Sequence, residues 1–152
     1  MKDSYVVRPV TSQDAEAWAR LRHALWPEGS FDEHRAETER FLSRPGVVEE
    51  EVLLAVAQDG RILGFVELSI RNIVNACAPG RVGYLEGWYM IPEARRQGIG
   101  RTLVAAGERW AREQGCREFG SDADLENETS HAAHRRLGFS ETGRVVTYRK
   151  EI

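Results

Sequence analysis

The chain has 152 residues, of which 41% are hydrophobic and 30% charged, and its formal net charge at pH 7 is −3. These values predict one globular domain over residues 1–152 with a single core, and the negative charge gives no electrostatic support to nucleic-acid binding. The longest apolar run, Val52–Ala57, is too short to span a membrane, and no apolar signal-peptide segment follows Met1–Ser4. We therefore expect a cytoplasmic protein without membrane contact.

Apolar periodicity predicts secondary-structure elements in the order β-α-α-β-β-β-α-β-α-β, which indicates a mixed α/β fold. The predicted elements are a strand over Tyr5–Val10, helices over Asp14–Leu25 and Asp32–Ser43, strands over Val52–Ala57, Ile62–Ile70 and Gly83–Met90, a helix over Ile99–Gln114, a strand over Arg117–Ser121, a helix over Asn127–Arg136 and a strand over Val145–Lys150.

Turn and cap residues set the predicted boundaries. Thr11 or Ser12 can cap the first helix, and the segments 26–29 and 44–46, each with a proline followed by glycine, end the first and second helices. Asp59-Gly60 is a hairpin signal between two strands, and Gly115 closes the third helix.

Two glycines one residue apart, Gly98 and Gly100, lie between the fourth predicted strand, Gly83–Met90, and the helix that follows it. Such a turn exposes backbone N–H groups at a helix N-terminus, where a phosphate can bind. A P-loop is excluded because Arg101-Thr102 follows the second glycine, and a dinucleotide fingerprint is excluded because its third glycine is Leu103. The remaining possibilities are another phosphate loop and an ordinary glycine-bearing connection.

The string Arg95-Arg96-Gln97-Gly98-Ile99-Gly100 fits R/Q-x-x-G-x-G/A and resembles the acyl-coenzyme-A pyrophosphate loop of the GCN5-related N-acetyltransferases. The resemblance implies that fold and acetyl-CoA as cosubstrate, held by the loop and by the backbone of the preceding strand. The residues so implied are Trp88, Tyr89, Met90, Arg95, Arg96, Gln97, Gly98, Ile99, Gly100 and Arg101. The three strand residues can equally be plain core residues, since backbone contact and side-chain packing are compatible.

Further strings resemble one subfamily, the type I aminoglycoside 6′-N-acetyltransferases, over nearly the whole chain. They are Leu25-Trp26-Pro27, Ser69-Ile70-Arg71 with Val74-Asn75 and Cys77, Leu85-Glu86-Gly87, Gly115-Cys116-Arg117-Glu118, Ser121-Asp122, Glu126-Asn127, Leu137-Gly138-Phe139, Arg144-Val145 and Tyr148-Arg149-Lys150. The resemblance implies acetylation of the 6′-amino group of aminoglycosides, which gives antibiotic resistance. It also implies a homodimer, for which Val145–Lys150 is suited as an added sheet edge.

Acidic residues are the candidate substrate contacts, because aminoglycosides carry several ammonium groups. Glu86 interrupts an apolar strand two residues before Trp88, so strand alternation predicts that both side chains share a face. Glu86 either binds ammonium and accepts a proton or forms a structural salt bridge. Asp122, extended by Asp124, either binds substrate or caps a helix. Trp26 either forms an apolar wall of the substrate cleft or packs in the core.

Asn127 and His134 correspond to the asparagine and tyrosine that the superfamily carries seven residues apart. The resemblance implies that Asn127 contacts the pantetheine arm and that His134 lies near the sulfur, as a general acid for the thiolate or as a polar filler. Relatives often have an additional residue, including an aromatic, where this chain has Asn72-Ile73, and Gly143 replaces a possible acid. Ile73 remains a predicted substrate contact.

Cysteine usage argues against a covalent enzyme intermediate. Cys77 and Cys116 have no metal-ligand spacing, and Cys116 has no His or Asp partner nearby in sequence, so we expect no bound metal and direct transfer in a ternary complex. Two other functions stay open: an acetyltransferase for a polyamine, peptide N-terminus or lysine, and a regulatory acyl-CoA-binding module without turnover.

Overall fold

The computed structural model describes residues 4–44 and 46–152; Met1–Asp3 and Pro45, which the sequence places before the first strand and after the second helix, lie outside the described residues. Strands and helices follow the predicted order up to the last strand. Their bounds are β1 Tyr5–Pro9, α1 Ala15–Leu25, α2 Phe31–Leu42, β2 Glu50–Ala57, β3 Ile62–Arg71, β4 Val82–Met90, α3 Ile99–Glu113, β5 Phe119–Ser121 and α4 Glu128–Arg136.

The sheet has the order β1-β2-β3-β4-β5, so each strand lies beside its neighbour in sequence. Pairing is antiparallel from β1 to β4, with the β2–β3 hairpin turning at the predicted Asp59-Gly60. β4 and β5 are parallel, because α3 runs back along the sheet and brings the chain to the end at which β4 begins. The predicted mixed α/β architecture is confirmed.

Each face of the sheet buries its own apolar cluster. On the α3 face, Leu53, Val66, Leu68 and Leu85 pack against Ile99 and Leu103, as the periodicity of α3 predicts. On the α1 face, Val52, Leu54 and Phe65 pack against Trp18. Because successive strand residues point to opposite faces, alternate residues of the same strands reach the two helix layers.

The predicted final strand over Val145–Lys150 is absent from the single chain. From Ser140 onward the chain forms no helix or strand, and Val145, Val146 and Tyr148 are 77%, 76% and 93% exposed. The β-branched and aromatic residues that favour a strand do not pair with either edge strand of their own sheet, β1 or β5. A strand needs a hydrogen-bonding neighbour, which local sequence cannot supply.

Among the residues that the structure describes, no helix combines the length and the apolarity needed to cross a membrane.

Candidate active site

The glycine loop before α3 borders open space. Gly98 is the N-cap residue of α3 with a φ of 82°, and a Cβ added there would meet no heavy atom within 4 Å. At Gly100 an added Cβ would lie 3.0 Å from the indole of Trp88, so α3 approaches β4 this closely only with glycine. The first amide groups of α3 have no intrahelical acceptors and can therefore donate to an anion beside Gly98.

Two arginines fix the loop to its surroundings. Arg95 Nε donates to the carbonyl oxygen of Met90 at 3.0 Å, and its guanidinium lies 5.5 Å from the centre of the Tyr89 ring. Arg101 Nη2 donates to the carbonyl oxygen of Arg136 at 3.1 Å, where α4 ends. These contacts hold the loop against β4 and α4 and surround its amide groups with positive charge.

The other predicted loop residues differ in exposure. Arg96 is exposed and has a φ of 63°, an uncommon conformation for a residue with a side chain. Gln97 Nε2 donates to the carbonyl oxygen of Glu93 at 3.1 Å. Ile99 is 1% exposed and belongs to the core, so it can meet a ligand only through its backbone.

β4 and β5 part just beyond their last paired residues, Leu85 and Ser121. β4 continues to Met90, and Trp88, Tyr89 and Met90 remain paired with β3 on the opposite side. This part of β4 extends beyond β5, with a backbone edge that can bind an extended ligand as a neighbouring strand would.

His134, on α4, reaches the point where these strands part. Its Nδ1 lies 2.7 Å from the carbonyl oxygen of Ser130, which can only accept, so Nδ1 carries a hydrogen. Its Nε2 lies 2.8 Å from Ser121 Oγ, and in the neutral ring this nitrogen accepts from the hydroxyl. The ring packs edge-on against Trp88, with centroids 6.2 Å apart. Sequence reasoning missed this role of Ser121, because two residues thirteen positions apart give no local signal.

Asn127 is the N-cap of α4, and its side-chain oxygen accepts from the backbone N–H of Ser130 at 3.0 Å. The helix-cap role that the sequence allowed for Asp122 therefore belongs to Asn127. The side chain of Asn127 is exposed, on the same helix that carries His134. A capping residue at this place fixes where α4 begins and hence where His134 lies.

Glu86 is the extra residue of a β-bulge. Leu68 pairs with Leu85 and Glu67 with Gly87, which leaves Glu86 without a partner on β3. Gly87 faces α1, since a Cβ there would lie 2.6 Å from Trp26, whereas Trp88 packs on the α3 face. Glu86 turns towards Ser69 and Arg71 of β3 instead of sharing the face of Trp88. The expected shared face is wrong because the bulge shifts the alternation by one residue.

A polar network joins the two predicted substrate carboxylates. Arg71 donates to Glu86 through Nε at 2.9 Å and Nη2 at 2.7 Å, and Ser69 Oγ donates to the same carboxylate at 2.6 Å. The Arg71 guanidinium lies 3.6 Å from the centre of the Tyr84 ring. Tyr84 in turn donates to Asp122 Oδ2 at 2.6 Å. Burial and the bond to Asp122 raise the pKa of Tyr84, so its hydroxyl keeps its proton at neutral pH.

Trp26 is half-buried beside the bulge. Its ring edge abuts Gly87, its face lies 4.9 Å from the Arg22 guanidinium, and its ring stacks on His34 with centroids 6.4 Å apart. His34 Nε2 also bonds the carbonyl oxygen of Trp26 at 2.8 Å. Trp26 therefore packs in the core next to Gly87, the residue that follows Glu86. Core packing and a place in the wall of a substrate cleft are thus compatible roles for Trp26.

A buried ion pair beneath Trp26 was missed by sequence reasoning. Arg22 of α1 binds the carboxylate of Glu67 of β3, which also accepts from Trp18 Nε1 at 3.0 Å. Burial raises the pKa of Glu67 against the opposing effect of Arg22. The partners are 45 positions apart in sequence and were not detectable by local spacing.

Three other residues considered in the sequence lie apart from this network. Ile73 is 88% exposed on the loop after β3, and Asp124 is exposed between β5 and α4. Cys116 is buried at 5% exposure, and burial raises the pKa of its thiol. A thiol with a raised pKa is a poor nucleophile, in keeping with a structural role. Within the described residues, no group of three or more His, Cys, Asp or Glu is arranged to hold a metal ion.

The site combines a loop suited to phosphate, a pair of parted strands and an acidic network beside those strands. This combination is of the type that serves acyl transfer. The Acetyltransferase (GNAT) family matches residues 17–139, and the chain belongs to this family. A Klebsiella aerogenes protein named aminoglycoside N(6′)-acetyltransferase type 1 is 48% identical over 152 residues, which cover 100% of both chains.

Solved structures share the fold over the full length. The aminoglycoside N-acetyltransferase AAC(6′)-Iy in complex with CoA is 37% identical with a TM-score of 0.90, covering 100% of this chain and 98% of that one. AAC(6′)-Iy in complex with the bisubstrate analogue CoA-S-monomethyl-acetylneamine is 38% identical with a TM-score of 0.88, covering 98% and 99%. The expected acetyltransferase fold is confirmed.

Proposed function

We propose that this protein transfers the acetyl group of acetyl-CoA to the 6′-amino group of aminoglycosides, directly within a ternary complex, and so gives resistance to these antibiotics. The observation that carries the proposal is the full-length 48% identity to an aminoglycoside N(6′)-acetyltransferase. The geometry supports it, because an anion-binding loop and a pair of network carboxylates, Glu86 and Asp122, flank the exposed end of β4.

The loop and β4 form the donor half of the site. The amide groups at the start of α3 and the guanidinium of Arg96 suit a pyrophosphate, and open space at Gly98 lets it approach the backbone. The backbone of Trp88, Tyr89 and Met90 can hold the pantetheine arm and polarise the thioester carbonyl. The cosubstrate supplies an activated acetyl thioester when bound, and Asn127, the N-cap of α4, is the proposed side-chain contact of the pantetheine arm.

Glu86, Asp122 and Trp26 form the acceptor half. Two carboxylates attract and orient a substrate with several ammonium groups, and Trp26 gives a sugar ring an apolar wall. The attacking amine must be neutral, so its proton passes to water or to Glu86. We assign Asp124 and Ile73, which are exposed on loops apart from these residues, as further contacts for the substrate.

His134 is the candidate proton donor to the departing sulfur. Because Nδ1 is bound to the carbonyl oxygen of Ser130, the neutral ring has only a lone pair at Nε2. His134 therefore acts as an acid only in its doubly protonated form, with Ser121 beside the nitrogen that gives up the proton.

The test of the reaction is thiol release from acetyl-CoA with two aminoglycosides that differ only in a 6′-amine or a 6′-hydroxyl. We expect turnover with the amine alone and, in cells expressing the protein, a raised inhibitory concentration for that drug alone. Equal turnover with both would refute the 6′ position, and turnover only with polyamines or peptides would refute the substrate class. Coenzyme binding without turnover on any amine would indicate a regulatory module.

Direct transfer is tested by initial rates with both substrates varied. Intersecting reciprocal plots are expected for a ternary complex, whereas parallel lines would indicate an acetyl-enzyme. Cys116→Ser should leave turnover unchanged, because this thiol is buried in the core.

We propose a homodimer in which the C-terminal segment, residues 140–152, pairs with the partner. The exposed Val145, Val146 and Tyr148 are strand-forming residues without a strand in their own chain, and β5 is an edge strand of the sheet. Val146→Asp should shift the protein from dimer to monomer in light scattering. A monomeric wild type would refute this arrangement.

We also propose that residues 1–152 act as one domain in the cytoplasm. Both apolar clusters share the same sheet, and the two cysteines are free thiols, as a reducing compartment favours. Limited proteolysis that releases no stable fragment, and fractionation into the soluble cell extract, are the expected results.

A further inference from the structure

The substrate carboxylates of the proposed function are themselves held by Arg71 and Tyr84. We propose that Arg71 is a positioning residue for Glu86 and, through Tyr84, sets the place of Glu86 relative to Asp122. The inference rests on the proposed function, because it takes Glu86 and Asp122 as the groups that bind the acceptor amine.

The hydrogen bonds of Glu86 leave it one defined acceptor position. A carboxylate has about four lone-pair positions. Oε1 accepts from Ser69 Oγ and Arg71 Nε, and Oε2 accepts from Arg71 Nη2, so the remaining position is on Oε2. The two-pronged contact from a planar guanidinium fixes the carboxylate plane as well as its place. Arg71 therefore determines the direction from which an ammonium group can meet Glu86.

The bulge makes Glu86 dependent on this contact. Glu86 has no pairing partner on β3, so its backbone is less constrained than that of an ordinary strand residue. Its side chain is about one-third exposed, and its contacts with Ser69 and Arg71 are what turn it towards β3. Without Arg71, the carboxylate would sample several rotamers in the cleft.

Tyr84 links Arg71 to the second carboxylate. The guanidinium lies 3.6 Å from the ring centre, and the hydroxyl of the same ring donates to Asp122 at 2.6 Å. The guanidinium and the phenol ring are both rigid and planar, so the stack acts as a spacer between the two acids. A substrate with two ammonium groups at a matching separation can then meet both without rearrangement.

Positioning and simple electrostatics predict opposite effects of removing Arg71. Loss of a positive charge beside two carboxylates strengthens the attraction for a polycation, which would lower the KM for the aminoglycoside. Loss of a positioning contact raises that KM, because the carboxylate must be ordered when substrate binds. The direction in which the aminoglycoside KM changes therefore distinguishes positioning from simple electrostatics.

The experiment measures KM and kcat for both substrates in Arg71→Gln, Arg71→Lys, Glu86→Gln and the double variant Arg71→Gln/Glu86→Gln. We expect Arg71→Gln to raise the aminoglycoside KM about tenfold, with the acetyl-CoA KM within about twofold of wild type. Arg71→Lys keeps the positive charge but loses the two-pronged contact with Glu86, so its aminoglycoside KM should rise nearly as much. The double variant should be no more than about twofold worse than Glu86→Gln alone, because both changes remove the same contact.

Arg20→Gln is the matched control, since it removes an arginine from an exposed pair with Glu16 on α1 and should leave both KM values unchanged. A lowered aminoglycoside KM in Arg71→Gln would overturn the inference, and so would effects that simply add in the double variant. Wild-type kinetics in Glu86→Gln would overturn the role of Glu86 and this inference together. If Arg71→Gln fails to fold, a lysine variant with wild-type KM would also overturn it.

Discussion

Gly87→Ala tests whether the place of Trp26, the proposed apolar wall for the substrate, depends on close packing against β4. An added Cβ would lie 2.6 Å from Cη2 and 2.9 Å from Cζ2 of Trp26, against about 3.5–4.0 Å for a relaxed carbon contact. Trp26 must therefore move by about 1 Å. Its ring is rigid and is held by Arg22 and His34, so it cannot relax freely.

Overpacking of this kind costs about 1–3 kcal/mol of the free energy of unfolding. For a chain of this length, each kcal/mol lowers Tm by about 2–4 °C, so a drop of roughly 2–12 °C is expected. Because Trp26 belongs to the proposed acceptor half of the site, the aminoglycoside KM should rise while the acetyl-CoA KM stays within about twofold. Circular-dichroism melts at fixed protein concentration and steady-state kinetics measure the two effects.

Arg20→Gln again provides the control, since it changes only an exposed pair on α1, and its Tm should lie within about 2 °C of wild type. Trp26→Leu in the Gly87→Ala background should cost less than the two single changes together, because the smaller side chain relieves the overlap. A Gly87→Ala protein with the Tm and both KM values of the control would refute the packing argument.

Three further changes test other parts of the structure. Asp14→Asn should lower the free energy of unfolding at pH 7 by about 2 kcal/mol, because bonds from Arg8 lower the pKa of Asp14 from 3.8 to about 2. This stabilisation is present above pH 4 and declines towards pH 2. Denaturant titrations at several pH values measure it. His134→Phe should lower kcat at least tenfold, whereas an unchanged kcat would leave His134 as a packing residue. Gly98→Ala should weaken acetyl-CoA binding in calorimetry without changing the aminoglycoside KM, because a side chain would occupy the space beside the loop.

Local sequence patterns were sufficient for most of the fold. The apolar period of α3 and the turn at Asp59-Gly60 lie within single segments, and both appear as predicted. The segment 145–150 has strand composition but forms no strand, because it pairs with neither edge strand of its own sheet and local sequence does not specify a pairing partner.

The site was only partly predictable for a similar reason. The glycines of the phosphate loop are recognisable because their spacing is local, and Glu86 is recognisable because it interrupts an apolar strand. The contact of Arg22 with Glu67 and that of His134 with Ser121 depend on long-range packing. The bulge at Glu86 was missed because the sequence around it still reads as regular alternation.

The extra residue in β4 shifts Trp88 to the α3 layer, whereas regular alternation from Leu85 would place it in the α1 layer. Beyond it, Gly87 and Trp88 point to different layers, one towards α1 and the other towards α3. Under the proposed function, the α1 side of β4 belongs to the acceptor half of the site and the α3 side to the donor half. Single substitutions on the α1 side would then change which amine is accepted and leave the binding of acetyl-CoA unchanged.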